Sequence, residues 1–276
     1  MPEGRLQRRI DSQIRNNEMI FLKEKNSKSM PCNPFIEAKD FSPFTYSKRF
    51  HFNLFSDYNY DIELFKKTLN PDQCSLKNYQ DLLVFSFIKQ FVPEGSRLLD
   101  VGGGNSRIIK HFKKKYQCWN VDKLEGRGNG PKRIFKWGFR LVKDYIGNFN
   151  PALPDNYFDF VFSISALEHV PGQDPILFKN ILDDLNRVLK PGGYSLHCFD
   201  SILKPGSMWV NRFLIYIFEK EQTLNRFFPF EMLDQAPDLF VMSEQVYNRK
   251  WKHITRKTYD EFGKPFSYNI LWQKPG

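Results

Sequence analysis

The chain predicts a doubly wound α/β fold with a mostly parallel sheet. Three observations carry this. A buried-strand run, Leu98 to Val101, passes at once into Gly102-Gly103-Gly104 and then into a helical pattern from Arg107. Apolar runs of strand length alternate with helical segments through residue 200. The run Tyr157 to Ser163 is a strongly apolar further strand, and Leu189 to Gly193 ends a helix before another.

Residues 1–34 are polar and basic. Leu6, Ile10, Ile14 and Met19 to Leu22 are compatible with one amphipathic helix, which Asn26 to Pro34 would end. Residues 35–70 are rich in Phe and Tyr. With residues 1–34 they form an N-terminal extension, 1–70, whose aromatics either cover an active site or pack a sheet edge. A helix over roughly 75–91 ends at Val92-Pro93-Glu94-Gly95. The first strand is 97–101 and its helix 105–116. The second strand is 117–121, closed by Asp122. A weakly marked third strand near 139–143 leads to Asp144-Tyr145. The fourth is the run Tyr157 to Ser163. A helix over roughly 174–190 stops at Lys190-Pro191-Gly192-Gly193, and the fifth strand is 194–199. Residues 201–235 break the rhythm with Met208, Trp209, Phe213, Tyr216, Phe218 and Phe228, and read as an apolar, helical insert over the sheet's carboxyl edge. Phe240 to Tyr247 and Phe266 to Trp272 read as two further strands.

Composition bounds the function. The 276 residues suit one α/β domain with an appendage, here divided as 1–70 and 71–276. No run is apolar enough for a membrane span, and the charged start has no signal-like core. A cytoplasmic protein is expected. Cys32, Cys74, Cys118 and Cys198 are scattered, so neither a metal site nor a disulfide framework is expected. The net charge of +10 gathers in residues 5–28, 107–115 and 123–143. It admits a nucleic acid, an anionic membrane surface or an anionic substrate, beside a plain solvated basic surface.

Asp100, Gly102 and Gly104, with Ser106 where a third glycine is usual, resemble the first motif of class I S-adenosylmethionine-dependent methyltransferases. The dinucleotide fingerprint needs glycine at 107, and Arg107 stands there. Leu153 to Asp159, Ser163 to Val170 and Leu189 to Gly193 resemble the type 11 small-molecule branch. The resemblance covers about residues 76–200. It implies a seven-stranded sheet ending in an antiparallel pair, with S-adenosylmethionine as cofactor and an oxygen or nitrogen of a small molecule or sugar unit as acceptor.

The resemblance also implies roles. Asp100 and the Gly102-Gly103-Gly104 turn face the methionine part. Asp122, with Lys123 beside it, accepts from the ribose hydroxyls. Asp144 and Tyr145 flank the adenine. Ser163, Ser165 and His169 line the cofactor from strand four. His169, Asp200 and His51 are the candidate bases, His169 equally suiting a cofactor-supporting role. His197, inside strand five, reads as a core residue. The insert 201–235 would shape the acceptor pocket, its aromatics otherwise extending the core or a dimer interface. An RNA methyltransferase and a non-catalytic cofactor-binding scaffold are the rivals. Nucleic acid is not favoured, because no RNA-binding module is appended and Ser163-Ile164-Ser165-Ala166 replaces the motif of base-amine methylators.

Overall fold

The computed structural model describes residues 44–126, 130–135, 137–170, 174–220 and 228–276. The amphipathic helix expected near the start lies outside them.

The described residues form an open, seven-stranded sheet. β1 (Arg97–Val101), β2 (Gln117–Val121), β3 (Arg140–Val142), β4 (Phe158–Ile164) and β5 (Leu189–Lys204) are joined in the order β3-β2-β1-β4-β5, all parallel. β6 (Ser207–Trp209) is a short hairpin partner of the end of β5, and β7 (Lys264–Gln273) runs antiparallel along β5. This is an open, mostly parallel, Rossmann-like sheet that ends in an antiparallel strand, as the sequence resemblance implies.

Both faces are buried, and the period of two sorts them. Leu98, Cys118, Phe160, Phe162 and Leu196 face one layer, while Leu99, Trp119, Val161 and Phe199 face the other. In the first layer, α1 (His51–Asp57) and α2 (Tyr60–Phe65) precede the long α3 (Leu76–Phe91). The Ser75 side chain caps α3 by accepting from Asn78 N–H. Leu82, Leu83, Phe85, Phe87 and Ile88 of α3 are fully buried against the sheet. α4 (Arg107–Phe112) lies on the same layer. The opposite layer is α5 (Pro175–Val188), capped by Asp174, followed by α6 (Arg212–Lys220) and α7 (Phe230–Asp234). α8 (Glu244–Thr255) and α9 (Tyr259–Phe262) precede β7.

Four expectations need correction or narrowing. Phe240 to Tyr247 is not a strand. Ser243 accepts from Val246 N–H and starts α8 there. The edge beside β7 is instead taken by residues 45–48, through Ser47 N–H to Ser267 O (2.8 Å) and Asn269 N–H to Thr45 O (2.8 Å). Second, the fifth strand begins at Leu189. Residues 190–193 form an irregularity within it, because Phe158 pairs with Leu189 and Phe160 already pairs with Tyr194. Third, of the two roles open to the aromatic segment, packing describes most of its described rings, while Phe50 and Tyr58 stay exposed. Phe44, Phe52, Phe55 and Tyr60 are buried with α3, and Tyr79 stacks on Phe240 at 5.1 Å. Fourth, the insert is only partly a roof. Phe213, Leu214 and Ile217 are fully buried in the second layer, with Phe178 5.2 Å from Phe213.

Candidate functional site

The carboxyl ends of β1 to β5 share one edge, and the sheet order reverses between β1 and β4. That switch point is where an open α/β sheet leaves a crevice.

At the end of β1 the backbone turns back sharply. Gly102 (φ +67°) and Gly104 (φ +49°) adopt left-handed conformations that side chains disfavour. Gly103 is required for a different reason. A Cβ there would lie 2.4 Å from both Cγ and Oδ2 of Asp100. The Asp100 carboxyl therefore rests against bare backbone. It is buried, and its Oδ1 has no hydrogen-bond partner. Burial pushes its pKa up to about 7, against the opposing effects of the Ser106 hydroxyl and the Lys77 charge. Ser106, in the place of a third glycine, caps α4 by accepting from Ile109 N–H at 3.2 Å.

Asp122, just past β2, closes the other side of the turn. Its Oδ2 accepts from Gly104 N–H at 2.8 Å and its Oδ1 from Leu124 N–H at 2.6 Å. Both oxygens keep a second lone pair. Lys123 is exposed, its Nζ 5.9 Å from the Tyr145 ring centre. Asp144 follows β3. Partial burial works against its charge, but hydrogen bonds from Asn150, Asn148 and Tyr145 N–H outweigh it and hold the carboxyl below its ordinary value. Tyr145 is exposed.

Past β4 lies a second polar cluster. Ser165 (φ +47°) donates to Gln80 Oε1 at 2.5 Å and lies 2.9 Å from Asp200 Oδ1. Gln80 Nε2 donates to the same Asp200 oxygen at 2.9 Å. Lys77 Nζ donates to Ile164 O. The 3₁₀ turn Leu167–His169 then carries Glu168 and His169. The carboxyl oxygens of Glu168 are buried, near the backbone N–H groups of Glu168 and Asp200. Burial, then the charge of Asp200, push its pKa well above the usual range. Asn211 Nδ2 donates to Glu168 O (2.9 Å) and ties the start of the insert to this turn. His169 is exposed beside it.

The edge thus brings together Asp100, the glycine turn, Asp122, Asp144, Ser165, His169 and Asp200. Two expected site residues lie elsewhere. Ser163 is fully buried, 2.8 Å from His197 Nδ1, and that imidazole also meets Ser195 through Nε2 at 2.8 Å. Burial alone drops the His197 pKa to about 3, so it is a neutral pin between β4 and β5. His51 is buried among Phe44, Phe50 and Phe55, with Nδ1 2.5 Å from the Tyr79 hydroxyl. This corrects the expectation that it stands in an open cover.

Gln80, Lys77 and Glu168 were not singled out from the sequence. The first two are polar residues at the start of an otherwise apolar helix. That signal is legible once α3 is known to reach the sheet's carboxyl edge. Glu168 gave no signal beyond its place in the motif.

This edge, with its bare glycine turn and three strand-end carboxylates, defines a small-ligand crevice of the Rossmann-like class. A methyltransferase-domain family model, type 11, matches residues 99–197. The chain is 29% identical over 178 residues to a sterol 24-C-methyltransferase of Schizosaccharomyces pombe, covering 60% of this chain and 40% of that protein. It is 28% identical over 128 residues to the ubiquinone/menaquinone biosynthesis C-methyltransferase UbiE of Cupriavidus metallidurans, covering 44% of this chain and 51% of that protein. The chain therefore spans about half or less of the length of these curated relatives. A solved phosphoethanolamine N-methyltransferase 2 of Haemonchus contortus, in complex with S-adenosyl-L-methionine, aligns at 22% identity and a TM-score of 0.42, covering 71% of this chain and 52% of that one.

Proposed function

We propose that the chain transfers a methyl group from S-adenosylmethionine to an oxygen or nitrogen of a small molecule or sugar unit. The observation that carries this is the orphaned Oδ1 of Asp100 above a turn that only glycine can form. A buried carboxyl without a partner is costly, and a ligand donor relieves that cost. When bound, S-adenosylmethionine supplies a methyl group made electrophilic by its sulfonium sulfur.

The residues fit that cofactor. Asp100 accepts from an ammonium or a water at the turn. Asp122 uses its remaining lone pairs for a ribose diol, and Asp144 for an exocyclic amine, with Tyr145 alongside. The protein's main task is alignment, because the cofactor brings the reactivity. The acceptor must also lose a proton. Glu168 is the proton acceptor in this reading. Its burial makes the ionised carboxylate a stronger base, and the acceptor O–H or N–H hydrogen passes to a Glu168 carboxylate oxygen as the new bond to the methyl carbon forms. Asp200 holds Gln80 and Ser165 beside it, and His169 stands exposed at the mouth of the same turn. Both curated relatives are named as C-methyltransferases, which favours a nucleophilic carbon as the second reading.

Acceptor-dependent formation of S-adenosylhomocysteine tests this, using a panel of hydroxyl, amine and activated-carbon acceptors. Glu168→Gln should keep cofactor affinity and lose turnover roughly a hundredfold or more, the scale of general-base removal. In the wild type, the rate should rise with pH through an ionisation that the variant lacks. An unchanged pH profile in Glu168→Gln removes the proton-acceptor role, and no product with any acceptor class argues for a binding scaffold.

A further inference from the structure

We propose that the face formed by α4 and the loop before β3 docks onto an anionic lipid surface. Residues 107–115 hold five Lys or Arg and no Asp or Glu, and the described residues of 130–143 hold Lys132, Arg133, Arg140 and Lys143 and no Asp or Glu. The fold brings these two segments together. Lys113 Nζ donates to Trp137 O at 2.9 Å and stands 4.3 Å from the centre of the Trp137 ring. Lys110 and Phe135 line one shallow depression.

Charge alone describes a solvated surface. The aromatic side chains change that reading. Phe135 is 82% exposed, more than any other large apolar side chain among the described residues, and Trp137 is 64% exposed. They stand two positions apart on one loop, with Lys132 and Arg133 exposed just before them. Phe135 has no polar atom that water could satisfy. Apolar rings projecting through a ring of cationic groups match a membrane interface, where the rings enter the headgroup boundary and the cations meet lipid phosphates. A single-stranded nucleic acid would also welcome cations and rings, but it stacks bases on open ring faces. One face of Trp137 already carries the Lys113 ammonium. The same depression is lined by Gly104, Asn105 and Ser106 of the glycine turn, so the dock lies beside the cofactor crevice; vesicle binding reads it without methyl transfer.

Vesicle co-sedimentation of the full chain tests it. The probes are phosphatidylcholine vesicles and phosphatidylcholine vesicles containing phosphatidylglycerol. The chain should bind the second and not the first, and lose binding as salt rises. Phe135→Ser with Trp137→Ser should weaken vesicle binding roughly tenfold or more. Its thermal midpoint should not change, because both rings lie outside the core. Lys132→Glu with Arg133→Glu should weaken it comparably, which separates this face from the basic segment at the chain's start. The proposal fails if neither vesicle binds, if both bind alike, or if the ring variant binds as well as the wild type. It also fails if a single-stranded RNA oligomer binds more tightly than the anionic vesicles and the ring variant loses that instead.

Discussion

Gly103→Ala isolates the contact at the centre of the crevice. The added Cβ falls 2.4 Å from Cγ and Oδ2 of Asp100 and 2.7 Å from Oδ1. Ordinary contacts begin near 3.4 Å, so the overlap is about an ångström on three atoms. Gly103 is not among the glycines with positive φ, so the backbone adds no strain and the effect is steric. Asp100 is a short side chain on a buried strand and cannot swing clear as a surface lysine would. Overpacking of this kind costs about 1–3 kcal/mol, which lowers the thermal midpoint by several degrees. Urea denaturation reads the stability, and calorimetry with S-adenosylmethionine reads the binding. Asp100→Ala added to Gly103→Ala removes the clashing atoms. Stability should return in the double variant while cofactor binding stays weak. A Gly103→Ala protein as stable as the wild type, binding the cofactor as well, would show that Asp100 does not rest on this turn.

Two further outcomes follow from burial. The Asp100 carboxyl, raised from 3.8 to about 7, favours the folded state's protonated form. Its cost is absent below the unfolded value, grows as pH rises between the two, and is complete above about 7, at most about 4 kcal/mol. Asp100→Asn should therefore exceed the wild type in stability without cofactor at about pH 8, and the gap should narrow to less than half by about pH 5 and close only below about pH 4, as urea titrations across that range would show. A gap independent of pH would contradict the buried carboxyl. Phe213→Ala, at a fully buried position in the insert, should cost about 3–5 kcal/mol of stability, measured in the same way; a variant that instead unfolds normally and loses only turnover would return the side chain to the acceptor roof.

The cofactor half of the fold was legible because its signals are local. β1 and β2 are short, mostly apolar runs that end at Gly102 and at Asp122, β4 is a Phe-rich run, and a short window reveals all three. The two halves that flank it depend on distant partners. Residues 45–48 occupy the edge beside β7, a pairing across some two hundred positions that no window shows. Phe240 and Met242 are buried like strand residues, yet Ser243 caps a helix directly after them. Ser106 stands where a third glycine is usual, but a serine before Arg107-Ile108-Ile109 is also an N-cap signal, and the structure uses it as one. Among the site residues, Asp100 and Asp122 announced themselves by position. Glu168 did not, because what distinguishes it is the burial of its carboxyl oxygens, and His51 and Ser163 looked available because burial is not written in residue type.

Calorimetric titration of S-adenosylmethionine into the wild type and Asp122→Ala tests the central claim most directly. Asp122 bridges Gly104 and Leu124 N–H groups and offers its outer lone pairs to the crevice. The wild type should bind saturably, and the folded variant should lose about 1.5–3 kcal/mol, the scale of hydrogen bonds to a charged group. A wild type that takes up no cofactor, or a folded variant that binds it equally well, would contradict the crevice assigned here.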